Sequence, residues 1–245
     1  MTRLMARRAA PETIVPQRRK LLRLVPAAIV AGGWLSAGDA EAARREMVEK
    51  QRVPKVTPPE DLMREHGVLD RVLLVYEAAL RKFDASEDFD PAVLTSAGQI
   101  VRDFIENYHE ESEEHAVFPR FKRAGKLVTL VDTLVTQHKA GRRVTDVILK
   151  TAPGSRKDGD DRHKLIASIR AFIAMYRPHA AREDTDLFPM LKTVVSPNEY
   201  DAMAEDFEKK EHQQFGEDGF EMMIHRVATL EQQIGIGDLA LFTPA

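Results

Sequence analysis

The sequence predicts an all-α protein, an up-and-down four-helix bundle with one additional C-terminal helix. Apolar residues recur at alternating steps of three and four along five long stretches, the signature of helices with one buried face. No stretch alternates with period two over a useful length, and aromatic residues make up only 7% of the chain, so strands have little to build on. Four long amphipathic helices joined by short connections bury their stripes best against one another as an antiparallel bundle.

The first helix opens at Thr57-Pro58, an N-cap with proline in the first turn, and runs to about Phe83. Its stripe of Leu62, His66, Leu69, Leu73, Tyr76 and Leu80 turns His66 toward the core. Asp90-Pro91 starts the second helix in the same way, with Val101, Ile105, Tyr108, His109, Ser112, Glu113 and Ala116 on one face. A third helix spans about Lys126 to Lys150 and places Leu134, His138, Gly141, Thr145 and Ile148 together. The polar break after Pro153 leads to a fourth helix, about Asp161 to Phe188, with Ile169, Tyr176, His179 and Glu183 facing inward. Ser196-Pro197 begins a fifth, ending near Gly235.

An internal duplication links these helices. His109, Glu113, Glu114, Phe118 and Pro119 recur 70 residues later as His179, Glu183, Asp184, Phe188 and Pro189. Upstream of each copy, Leu62, His66, Arg71 and Val72 recur 72 residues later as Leu134, His138, Arg143 and Val144. Each half therefore supplies two histidines and a glutamate. A single His with an acid four places on is common in a chain this acidic, and His66 with Asp70 is such a pair. Two copies with the same Phe-Pro tail are not.

Residues four apart on a helix share a face, so each His-x-x-x-Glu pair aims one imidazole and one carboxylate at a common point. Together with His66 and His138, the two pairs place four nitrogens and two carboxylates inside the bundle. Burying two carboxylates without cations is expensive, and two divalent metals offset that charge. Nitrogen and oxygen donors suit iron or manganese, with zinc also possible. The chain has no cysteine, which excludes disulfides and thiolate ligands. Metal-free protein should be less stable than the loaded form.

The N-terminal 42 residues read as an export signal: a basic segment ending in Arg18-Arg19-Lys20, a short apolar run from Leu24 to Leu35, and Ala40-Glu41-Ala42. The apolar run is too short to span a bilayer, which takes about 20 residues. The arginine pair with Leu21 and Leu22 resembles a twin-arginine signal, though Gln17 stands where Ser or Thr is usual. That places the protein in the periplasm or outside a bacterial cell, with residues 43–57 as a linker and no stable membrane anchor. The formal net charge is −3, and it becomes more negative without the basic N-terminus. Such a balance argues against nucleic acid as a partner.

His-x-x-x-Glu followed by Phe-Pro, duplicated over about residues 58–190 with a lone histidine in each preceding helix, resembles the hemerythrin-like (HHE cation-binding) family. The resemblance implies a bundle around two iron ions in a non-haem di-iron centre that binds or reacts with dioxygen, peroxide or nitric oxide. By position it assigns His66, His109 and Glu113 to one iron and His138, His179 and Glu183 to the other, both glutamates being candidate bridges. The invertebrate oxygen carriers of the family have a further histidine where this chain has Arg142, which favours a sensor, scavenger or redox catalyst over a reversible carrier. They also use an aspartate five residues after the last histidine, which makes Asp184 a substitute for Glu183.

Tyr108 and Tyr176 fit core packing better than a hydrogen bond to a metal-bound oxygen species, and Glu114 and Asp184, which could orient a ligand histidine, fit a solvated helix face better. His115 and His163 sit in charged surroundings expected at the surface. His212, on the fifth helix, lies outside the duplicated unit. Phe118-Pro119 and Phe188-Pro189 should close their helices and plug one bundle end. A ferritin-like di-iron oxidase or iron-storage protein would need two Glu-x-x-His motifs, of which only Glu106 with His109 exists. The remaining alternative is a bundle holding zinc, or no metal at all.

Overall fold

A computed structural model of the protein describes residues 56–244; the export signal and most of the linker expected from the sequence lie outside them. Every regular element among the described residues is helical. Helix α1, Pro58–Asp84, starts with a capping box in which the Thr57 side chain accepts from the Glu60 amide and the Glu60 carboxylate accepts from Thr57. Helix α2 covers residues 92–124, its entry fixed by Asp90 Oδ1 accepting from the Ala92 amide at 3.0 Å. Gly125, in the left-handed region at φ 65, ends α2 and turns the chain into α3, Val128–Thr151. Helix α4 covers residues 160–193.

These four pack as neighbours in a ring, α1 with α2 and α4, α3 with α2 and α4, the up-and-down arrangement expected. One apolar cluster, built on Leu69, Leu73, Phe104, Ile148, Ile169 and Phe172, fills the larger part of the bundle. A second, built on Leu62, Phe118, Phe121, Leu134, Phe188 and Leu191, fills the other end. The polar residues at 66, 109, 113, 138, 179 and 183 fall between these clusters along every helix.

Two features differ from the sequence reading. The Phe-Pro pairs do not close their helices. The five residues before each form a π turn, Glu113–Val117 and Glu183–Leu187, in which the amides of Phe118 and Phe188 donate to the carbonyls of Glu113 and Glu183. Proline has no amide hydrogen for the usual bond to the carbonyl four residues back, and its ring crowds that carbonyl; widening the turn accommodates both. Helix α2 then continues as Phe118–Ala124, and α4 as a 3₁₀ segment, Phe188–Thr193. A further π segment, Val101–His109, precedes the first copy.

The single C-terminal helix is instead a hairpin of α5, Pro197–Phe215, and α6, Gly219–Ile234. Gly216 sits at φ 84, a conformation L side chains rarely adopt, and stops α5. Glu211 Oε1 then accepts from the Phe220 amide at 2.7 Å, and α6 returns against α1 and the start of α2. Met223, Val227, Leu230 and Ile234 of α6 complete the larger core cluster.

Candidate metal centre

The two duplicated motifs meet in the middle of the bundle. His66 on α1 and His109 on α2 have ring centroids 4.7 Å apart, and His138 on α3 and His179 on α4 lie 4.9 Å apart. Glu113 and Glu183 stand between the pairs. Glu113 Oε2 is 3.6 Å from His109 Nε2 and 3.5 Å from His138 Nε2. Glu183 Oε2 is 3.4 Å from His66 Nε2 and 3.1 Å from His179 Nε2. Each glutamate thus faces one histidine of each pair, and all six residues singled out in the sequence come together. Among the described residues, His66, His109, Glu113 and Glu183 form one group able to hold a metal ion, and His138, His179 and Glu183 a second.

The outer side of each ring explains how the inner side is set. His66 Nδ1 lies 2.7 Å from Asp184 Oδ1, His109 Nδ1 2.7 Å from Glu65 Oε2, His138 Nδ1 2.9 Å from Glu114 Oε1, and His179 Nδ1 2.9 Å from Gln137 Oε1. All four partners are acceptor oxygens, so Nδ1 carries the hydrogen and, in the neutral ring, Nε2 presents a lone pair inward. Both carboxylate oxygens of Glu113 and of Glu183 are buried with no hydrogen-bond partner. With the rings neutral, four nitrogen lone pairs and four carboxylate oxygens therefore converge. Buried acceptors in that state are costly, and cations are what satisfy them.

The proton balance shows the same strain. Burial and the neighbouring Glu183 charge push the Glu113 carboxyl well above its ordinary range. Burial alone would also raise Glu183, but the charges of His179 and His66 outweigh it and hold that carboxyl low. Burial disfavours a charge on His66; its bond to Asp184 and the Glu183 carboxylate facing it reverse this and push it up to about 9. His109 is lowered by burial and by His66 beside it, and His138 falls to about 4, chiefly by burial.

Apolar walls close the site. The Phe188 ring stacks on His66 and the Phe118 ring on His138, each at 5.5 Å, so the two Phe-Pro motifs cover opposite histidines. Tyr176 packs 5.4 Å from the His179 ring and donates to Glu110 Oε1 at 2.6 Å. Gly141 on α3 makes room for that hydroxyl, since a Cβ there would lie 2.0 Å from it. Tyr108 packs on Phe104 and Phe215.

Several sequence expectations change here. Asp184 and Glu114 are only partly exposed, and each holds a histidine from outside. Asp184 sits on the far ring nitrogen of His66, while Glu183 faces inward. The spacing rule missed Glu65, Gln137 and Glu110. Glu65 and Gln137 were nonetheless legible as a repeated position, each preceding the lone histidine of its half. His115 and His163 are exposed, as expected. His212 joins none of the groups able to hold a metal among the described residues. Glu106 is buried beside Arg102, 3.1 Å away, and likewise joins none of them among the described residues.

Fold and site together define a helical-bundle protein with a buried histidine and carboxylate cluster suited to metal cations. The chain belongs to the hemerythrin HHE cation-binding domain family, which it matches over residues 57–191 and again over 129–242. A protein of Mycobacterium bovis and two of Mycobacterium tuberculosis, each named only as uncharacterized, are 43% identical to it over 93% of this chain and 91% of their own length. No solved structure matches it significantly. The second family match takes in the α5–α6 hairpin, whose histidines, His212 and His225, lack a glutamate four residues on.

Proposed function

We propose that the protein is a non-haem di-iron protein that binds or reacts with dioxygen, peroxide or nitric oxide, in a binding, sensing or detoxifying role. The observation that carries this reading is the convergence of four imidazole nitrogens and two unpartnered glutamates on one buried point. His66 and His109 would hold one ion, His138 and His179 the other, with Glu113 and Glu183 between them. The all-nitrogen-and-oxygen donor set favours iron, with manganese or zinc as substitutes. Bound ferrous ions would supply electrons and coordination positions for a diatomic or peroxide ligand.

The chain's own residues set the conditions for that chemistry. Asp184, Glu65, Glu114 and Gln137 fix each ring in one orientation. Phe118 and Phe188 exclude water and larger molecules, which supports a small ligand over a bulky substrate. Arg142 is tied to Glu110 and Glu114, each at 2.8 Å, and so adds no nitrogen ligand. That supports a reactive or sensing centre over a reversible carrier. Export with the metal already loaded is the reading of residues 1–42, and an electron donor is required for turnover of any oxidant.

The test is metal content with an absorption spectrum on protein lacking residues 1–42, before and after adding ferrous iron and air. About two irons per chain, with oxo-bridged ferric bands in the near ultraviolet, is the expected result. Zinc, or no iron uptake, would reject the reading in favour of a zinc-binding or purely structural bundle. Glu113→Ala and Glu183→Ala should each release metal and lower the melting temperature of the loaded protein, whereas His115→Ala should do neither. Full occupancy in both glutamate variants would remove them from the site.

A further inference from the structure

Each half of the cluster offers two imidazoles, but the His66/His109 half gathers both Glu113 and Glu183 into its group and the His138/His179 half gathers Glu183 alone. The residues outside the rings add to that difference. Asp184 on His66 and Glu114 on His138 occupy equivalent positions of the duplication, and both are carboxylates. Glu65 on His109 and Gln137 on His179 are also equivalent, but one is an acid and the other a neutral amide. The position four residues after the lone histidine differs more sharply. It is Asp70 in the first half and Arg142 in the second. The Arg142 Nη2 bridges Glu114 Oε1 and Glu110 Oε2 at 2.8 Å each, so the carboxylate behind His138 is shared with a guanidinium.

An acidic acceptor on Nδ1 makes an imidazole a stronger donor through Nε2 and neutralises part of the charge of whatever it binds; an amide does this less. A guanidinium sharing that acceptor withdraws the benefit and adds a repelling charge. His66 and His109 have two carboxylates behind them, Asp184 and Glu65. His138 and His179 have one carboxylate, shared with Arg142, and one amide.

We propose that the two metal positions are electrostatically unequal, the His66/His109 position filling first and more tightly, with Gln137 and Arg142 as the positioning residues that weaken the His138/His179 position. The inference rests on the reading of the cluster as a dinuclear centre. The weaker position is then the one from which an ion leaves first and at which the centre is found half-loaded.

The experiment is an anaerobic titration of the purified protein with ferrous iron, followed by calorimetry, with Mössbauer spectra of ⁵⁷Fe at one equivalent. The wild type should bind in two steps separated by about tenfold or more, and at one equivalent should show one ferrous environment. Gln137→Glu should strengthen the weaker step by about tenfold and populate two environments at one equivalent. Glu65→Gln should weaken the tighter step. Arg142→Gln should strengthen the weaker step, and serves if Gln137→Glu does not fold. Two equivalents bound with a single affinity, or steps that neither Gln137→Glu nor Arg142→Gln moves, would overturn the asymmetry and leave the dinuclear reading standing. Saturation below two equivalents would reject the dinuclear reading, and the asymmetry with it.

Discussion

At the scale of single residues, the cluster depends on close contacts between a few buried side chains. Gly141 illustrates this. Alanine at an α-helical glycine normally gains about 1 kcal/mol of helix propensity. Here its Cβ would press on the Tyr176 hydroxyl at 2.0 Å, and that ring is buried and bonded to Glu110. Overpacking costs about 1–3 kcal/mol, and disturbing the buried Tyr176–Glu110 hydrogen bond adds to it, so the clash outweighs the propensity. Gly141→Ala should destabilise the protein by about 1–3 kcal/mol in denaturant unfolding. Adding Tyr176→Phe should recover part of the loss, and a double variant as unstable as the single would place the strain elsewhere.

At the scale of elements, the π turns connect the Phe-Pro motifs to the site. Pro119 blocks the ordinary bond to the carbonyl four residues back, and the wider turn sets Phe118 against His138 and Glu113 toward the center of the bundle. Proline within a helix costs about 3 kcal/mol relative to alanine, so Pro119→Ala should leave the metal-free protein no less stable. It should nevertheless bind metal more weakly, because the turn tightens and rotates Glu113. Unfolding and metal titration on the same variant check this, and unchanged affinity would separate the π turn from the site.

The α5–α6 connection gives a pH prediction. Burial raises the Glu211 carboxyl above its ordinary value of 4.5, although the Phe220 amide it accepts from works the other way. An acid raised by folding favours the folded state while protonated, and that contribution is lost as pH rises through and above its unfolded value. Glu211→Gln keeps an acceptor for Phe220 and removes the charge. The variant should gain stability relative to wild type as pH increases from 4 toward 7, read from thermal melts of both across that range; parallel profiles would count against it.

At the scale of the whole molecule, the hairpin is part of the core and not an appendage. Met223, Val227, Leu230 and Ile234 belong to the same cluster as Leu69 and Phe104, and Phe215 covers Tyr108. Ending the chain after residue 195 should expose those apolar faces, giving an aggregating protein or one that melts without cooperativity. A truncated chain with a cooperative melt near that of the full protein would show the four-helix ring to be self-sufficient. The second family match, over residues 129–242, also takes in this hairpin.

The helices and the six inner residues were legible because both depend on local periodicity. A stripe at 3.6 residues per turn reports which face is buried, and a fixed offset between two copies reports which residues act alike. The outer ring was harder to read. Asp184 and Glu114 look solvated by composition, and only the approach of α4 to α1 and of α2 to α3 turns them onto His66 and His138. Likewise Gly216 reads as one weak break in a long amphipathic stretch, and its positive φ becomes a reversal only because α6 has a core face to return to.

The sequence by itself determined the all-helical class, the duplication, the absence of thiolate ligands and which side chains face inward, since each is fixed by residue type and spacing along one chain. The tertiary structure decided which glutamate lies between which histidines, which acceptor holds each ring, and that Arg142 shares the carboxylate behind His138. Those are contacts between helices distant in sequence, and no period along the chain encodes the distance across a bundle.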